Sequence, residues 1–72
     1  PMQIEHIKLS ERGAFVIKGE EKRLAEMTYS KAGDTGFIID HTEVDPSLRG
    51  QGVGEKLLDK AAEYARENNL KI

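Results

Sequence analysis

The chain contains no cysteine, no large excess of either charge and no long apolar run. Each absence removes a class of protein. Without cysteine there are no disulfides and no thiolate metal sites, and no metal cofactor is expected. No apolar stretch approaches the roughly 20 residues needed to span a bilayer, so a membrane partner is not expected. A net charge of −2, with 11 basic and 13 acidic side chains interspersed, offers neither a basic stripe for nucleic acid nor an acidic tail. Repeats, linkers and low-complexity segments are missing too. No secretory leader is recognisable, which makes the cytoplasm the expected compartment, and Pro1 ahead of Met2 reads as a cloning remnant.

What is present describes one small domain. Seventy-two residues, 38% hydrophobic and 33% charged, suit a single soluble domain over residues 1–72 and are too few for two cores. Burial at this size leaves stability marginal, so a partner copy, as in a homodimer, is an expected source of support.

Short strands come first and one helix comes last. From Gln3 to Leu9 the chain alternates, with Ile4, His6 and Lys8 on one side and Glu5, Ile7 and Leu9 on the other, as in an edge strand. His6 has no motif around it and reads as a surface or edge-strand residue. Glu11-Arg12-Gly13 reads as a turn, and Ala14 to Lys18 as a short strand built on Phe15, Val16 and Ile17. Gly19-Glu20-Glu21 turns the chain into a hairpin toward Arg23 to Ser30, where Ala25, Met27 and Tyr29 share a face. After the turn-rich Lys31 to Gly36, Phe37-Ile38-Ile39 begins a fourth strand that becomes polar through Asp40, His41, Thr42 and Glu43 before Val44.

From Gly52 to about Glu67 the period becomes helical. Val53, Leu57, Leu58, Ala61, Ala62 and Ala65 make the apolar stripe, with Lys56, Asp59, Lys60, Glu63 and Glu67 mostly outside. Asn68-Asn69 is a stop signal, and Leu70-Lys71-Ile72 opens a fifth strand. The fold class is α+β: a mostly antiparallel sheet of four to five strands in the order β-β-β-β-α-β, with one amphipathic helix packed on it.

The segment joining the fourth strand to the helix, Val44 to Gly54, holds Gly50, Gly52 and Gly54. Glycine lets backbone approach a ligand closely, and the free N–H groups of a helix start point at an anion along the positive end of the helix dipole. A tight strand-to-helix turn with Arg49 solvated would use the same glycines. Two rival phosphate motifs fail on spacing. A Walker A loop needs a lysine and a hydroxyl after its last glycine, but Glu55 follows Gly54. A dinucleotide fingerprint belongs early in a βαβ unit, and these glycines come late.

Arg49, Gly52 and Gly54 do fill an Arg/Gln-x-x-Gly-x-Gly/Ala pattern, preceded by Val44-Asp45-Pro46. The segment closely resembles the acetyl-CoA pyrophosphate loop of the GNAT acetyltransferase superfamily, whose element order is also that read above. Within it, small single-domain members are the nearest likeness, through Asp40-His41-Thr42-Glu43-Val44 and the helical Ala61-Ala62-Glu63-Tyr64-Ala65-Arg66-Glu67-Asn68. The resemblance implies a fourth strand splayed from the fifth, with backbone at Thr42, Glu43 and Val44 pairing with the pantetheine arm. It also implies pyrophosphate on the amides of Arg49, Gly50, Gln51, Gly52, Val53 and Gly54, with the Arg49 guanidinium on phosphate. Glu55, in the first helical turn, suits the helix dipole and faces water.

Acetyl transfer to an amine needs a base for the amine's proton and donors for the thioester oxygen. The Val44 N–H is the expected donor. His41 is the expected base, because imidazole titrates near neutrality and the residue sits just before the loop. Its parity with Phe37 and Ile39 would instead turn it toward the helix-packed core, and Glu43 and Asp40 are the alternatives. Tyr64 is expected to pack or hydrogen-bond locally. Two departures stand out: a glutamate that many protein-acetylating members carry midway along the fourth strand is replaced by Phe37-Ile38-Ile39, and the cysteine proposed to act with the histidine in the small members has no counterpart. The expectation is an acetyl-CoA-dependent N-acetyltransferase acting on an unidentified primary amine. The rivals are a non-catalytic acyl-CoA-binding module or sensor, and a fragment whose loop binds nothing.

Overall fold

A computed structural model describes residues 3–72, so the expectation for Pro1 lies outside the described residues. Four strands, β1 (Glu5–Lys8), β2 (Arg12–Lys18), β3 (Arg23–Ala32) and β4 (Gly36–Val44), form one antiparallel sheet in chain order. A single 3₁₀ turn at Pro46–Leu48 leads to the helix α1 (Val53–Glu67). After the helix, Lys71 bridges to Gly36 in parallel, the only pairing of the expected fifth strand among the described residues.

The helix covers one face of the sheet. Phe15 and Ile17 of β2, Ala25, Met27 and Tyr29 of β3, and Phe37 of β4 meet Val53, Leu57, Ala61 and Ala65 of α1 in one core. The shared face expected for Ala25, Met27 and Tyr29 is therefore present. Leu57 is fully buried, and at such a site truncation to alanine costs about 2–5 kcal/mol. The buried stripe is narrower than its sequence pattern: Leu58 is 46% exposed and Ala62 lies at the margin, because a 100°-wide face has room for one residue per turn here. Asn69 adopts a left-handed φ of 55° and Asn68 Nδ2 donates to the Tyr64 carbonyl, which ends the helix where the sequence signals it.

Glu11-Arg12-Gly13 is not a turn. Arg12 and Gly13 belong to β2, and the reversal is made earlier, where the Leu9 N–H donates to the Arg12 carbonyl. Gly13 has a packing reason. A Cβ there would stand 2.6 Å from the Ile7 carbonyl oxygen and collide with the Tyr29 phenol.

The other face of the sheet has no helix over it among the described residues. Its cross-strand rows read Arg12, Ser30, Ile38; then Ile7, Ala14, Thr28, His41; then Glu5, Val16, Glu26, Glu43. Val16 is nevertheless fully buried. The charged pairs Lys18–Glu5 and Arg23–Glu26 border it, and long side chains of this kind cover apolar surface with their stems.

Candidate active site

Between matched positions β4 carries one residue more than β3. Tyr29 pairs with Ile39, but Thr28 pairs with His41, so Asp40 bulges from the ladder. Such a bulge turns two successive side chains to one side and reverses the alternation beyond it. Phe37 and Ile39 pack toward α1, Asp40 and His41 face the uncovered side, and Val44 returns to the core. The expectation that parity with Phe37 and Ile39 turns His41 into the core is thus corrected. Sequence parity carried no sign of the extra residue.

The bulge re-aims the backbone as well. Phe37 donates its N–H outward to Lys71 at 2.9 Å, whereas Asp45 donates inward to Leu24 at 2.7 Å. Counting back from Asp45 by the alternation of an antiparallel ladder, the N–H groups of Val44 and Thr42 point to the outer edge of β4. Among the described residues nothing pairs with that edge beyond the Gly36–Lys71 end.

Asp45 fastens the loop that follows. Its carboxylate accepts from the Ser47 N–H at 3.0 Å and the Ser47 hydroxyl at 2.6 Å, and meets Lys22 Nζ at 2.7 Å. Bonding to Lys22 and Ser47 holds this carboxyl far below the usual carboxylate range. The β2–β3 turn is thereby tied to the start of the loop. Sequence reasoning passed over Asp45 and Lys22, although Asp45 before Pro46 is a helix-start signal, an acceptor followed by a residue with no N–H to satisfy.

Gly50 and Gly52 take left-handed φ values of 81° and 69°, which explains glycine at both. Gly52 caps α1 without a side-chain bond, so the amides of the first turn have no side-chain acceptor at the cap. Gly54 differs from these two. It lies inside α1 with an ordinary φ, nothing stands within 4 Å of where its Cβ would be, and glycine in a helix costs about 1 kcal/mol relative to alanine. No packing or conformational demand of this chain accounts for it.

Around this turn, Val53 buries its side chain and leaves only its N–H available, while Arg49, Gln51 and Glu55 are exposed. Thr42, Glu43, Val44 and Arg49 share a hollow of about 480 Å³ with Lys22 and Arg23. His41 Nε2 lies 3.0 Å from Glu43 Oε2, and both side chains are more than half exposed. A carboxylate only accepts, so Nε2 carries the hydrogen, and in the neutral imidazole the lone pair is then on Nδ1. The structure thus brings His41, Thr42, Glu43, Val44 and the stretch Arg49 to Gly54 into one continuous strand end and turn. Among the described residues no cluster of metal-ligating side chains is present.

His6 lies on β1, an edge strand of the sheet, as one of its two sequence readings has it, but not at the open surface. It is half-buried, with Nε2 2.6 Å from Tyr29 Oη, its ring stacked on Phe15 at 4.2 Å and edge-on to Tyr64 at 4.5 Å. Burial, and then the Lys8 ammonium, push its pKa below the ordinary value. Burial beside Tyr64 likewise raises the Tyr29 phenol. Tyr64 packs locally, as expected.

Comparison with known proteins finds a family and two relatives. The family model described as GCN5-related N-acetyl-transferase matches residues 14–72. An uncharacterized N-acetyltransferase of Archaeoglobus fulgidus is 56% identical over 27 residues, 38% of this chain and 18% of that protein. Protein NATD1 of Gallus gallus is 30% identical over 71 residues, covering 99% of this chain and 64% of that protein. The chain therefore spans less than two thirds of either relative. The family match covers most of the chain, from within β2 through α1 to the last residue: the chain belongs to the GCN5-related N-acetyl-transferases.

Proposed function

We propose that the chain is an acetyl-CoA-dependent N-acetyltransferase that moves an acetyl group onto a primary amine. The observation that carries this reading is Gly54, a glycine inside a helix with room for a side chain and no use for its absence. Keeping that space clear gives an anion access to the first-turn amides, and Gly50 and Gly52 shape the approach. Pyrophosphate would be held by the N–H groups from Arg49 to Gly54, with the Arg49 guanidinium adding a charge-assisted bond.

When bound, acetyl-CoA supplies an activated thioester, at whose carbonyl carbon the neutral amine replaces sulfur: a C–N bond forms, the C–S bond breaks with sulfur leaving as the coenzyme A thiolate, and the amine sheds a proton. His41 is suited to receive that proton at Nδ1, since Glu43 occupies its Nε2–H. The outward N–H of Val44 is suited to the carbonyl oxygen as charge gathers on it, and Thr42 offers the next outward amide along the arm. Neither donor has to leave β3 to do so, because both point off the sheet edge.

The test is release of free thiol from acetyl-CoA in the presence of polyamines, amino acids or lysine peptides. Acceptor-dependent release above hydrolysis supports the transferase. Binding by calorimetry with no such release would make the protein an acyl-CoA-binding module, and no binding would end the reading.

A further inference from the structure

The bare face of the sheet carries a second hollow, of about 360 Å³, with Asp40 in its lining. Its floor comes from the cross-strand row Ile7, Ala14, Thr28, where small residues stand between larger ones and leave a depression in the sheet surface. Leu9 extends the apolar wall. Asp40, Arg12 and Arg23 are the charged side chains at its rim, and the row ends at His41, across from Thr28 and next in the chain to Asp40.

Of these three, Asp40 and Arg12 are free of ion pairs among the described residues. Ser30 Oγ donates to one oxygen of the Asp40 carboxylate, fixing it on this face, and among the described residues no cation lies within ion-pair distance of it. Arg12 likewise has no acidic partner among the described residues, whereas Arg23, the other guanidinium bordering the hollow, is engaged with Glu26 at 3.4 Å. Arg12 stands opposite Ser30, so the free cation and the Ser30-anchored anion flank one cross-strand position.

We infer that this hollow receives the amine acceptor and that the acceptor is a small apolar amino acid: its ammonium meets Asp40 beside His41, its carboxylate meets Arg12, and its side chain lies on Ile7, Leu9 and Ala14. The inference rests on the transferase reading, and it adds the acceptor class and two specificity residues to it. A polyamine would leave Arg12 facing a like charge. A lysine side chain would bring the ammonium without the neighbouring carboxylate.

L-leucine, isoamylamine and putrescine are titrated separately into the ¹⁵N-labelled chain saturated with coenzyme A. L-leucine is expected to shift the amides of Ile7, Ala14, Thr28 and Asp40, and to bind roughly tenfold tighter than isoamylamine, which lacks the carboxylate. Arg12→Gln removes that difference. Asp40→Asn weakens both monoamines by roughly tenfold, as loss of a charge-assisted bond does. Ala14→Leu fills the floor and abolishes binding; should it fail to fold, the two exposed rim variants still decide the matter. Coenzyme A shifts at Arg49 to Gly54 are expected to be unchanged in every folded variant, and their absence in the wild type would defeat the transferase reading separately. Leucine leaving these amides unmoved, or binding equally to wild type and Asp40→Asn, overturns the inference, as does putrescine binding tighter than leucine.

Discussion

Thr28 pairs with His41 across the β3–β4 ladder, two places further along β4 than the Tyr29–Ile39 pair beside it. That offset sets the face of His41 and, through the same reversal, the outward aim of the Val44 N–H. Side chain and amide are coupled by one extra residue. The proposed base and oxyanion donor depend on this coupling, since an unbroken ladder from Phe37 would put His41 over the core and the Val44 N–H into β3.

Replacing His41 by alanine is therefore expected to lower the acetyl-transfer rate constant by about 10²–10⁴, the usual contribution of a general base. Acetyl-CoA affinity should change little, because cofactor contact in this reading is made by backbone. Steady-state kinetics alongside calorimetry separates the two quantities. Full turnover in the alanine variant would move the base elsewhere.

Gly54 gives a cleaner test of the loop than Gly52. At Gly52 the left-handed φ makes any side chain strained, so lost binding could follow from a distorted turn. At Gly54, alanine should stabilise α1 by up to about 1 kcal/mol by helix propensity while placing a methyl over the amides. The expected result is a higher Tm with weaker acetyl-CoA binding, and Gly54→Glu should abolish binding through its charge as well. A stabilised Gly54→Ala chain with undiminished affinity would show that this space is not the phosphate site.

The Asp45 contacts tie loop order to pH. Its carboxyl is held far below the unfolded value of 3.8, so the folded state favours the charged form. The stabilisation is complete above that value and is lost as pH falls from it toward the folded one. Lys22→Ala removes the first of the bonds responsible, and exposed contacts of this kind are individually modest. Acid melts of the variant should fall less steeply below pH 4 than those of wild type. Parallel curves would place the acid sensitivity elsewhere.

Much of this was legible because local chemistry and tertiary demand coincide. The Ala25, Met27, Tyr29 face and the Val53, Leu57, Ala61, Ala65 stripe follow from period alone, and the Arg49 to Gly54 turn from its glycines. What escaped depends on inter-strand register. No composition marks Asp40 as a bulge, and Arg12-Gly13 imitates a turn while Gly13 in fact makes room for Tyr29. His6 lacked any local signal because its partners, Tyr29 and Tyr64, are remote in sequence.

His6 yields a prediction with a definite sign. Its imidazole is stacked on Phe15 and bonded to Tyr29, and burial with the nearby Lys8 ammonium lowers its pKa from 6.5 in the fold. Above 6.5 the group is neutral in both states and penalises nothing. As pH falls through 6.5 the unfolded chain takes up the proton first, so the unfolded state gains, and the loss of stability is complete once pH is below the folded value. Thermal melts from pH 8 to pH 5 should therefore show Tm falling faster for wild type than for His6→Phe, which keeps an aromatic ring on Phe15 but does not titrate. Lys8→Gln should narrow the gap by removing the second cause. The exposed His41 is common to all three chains and cancels from the comparison. Tm curves that run parallel through this range would show that folding leaves the His6 proton affinity unchanged.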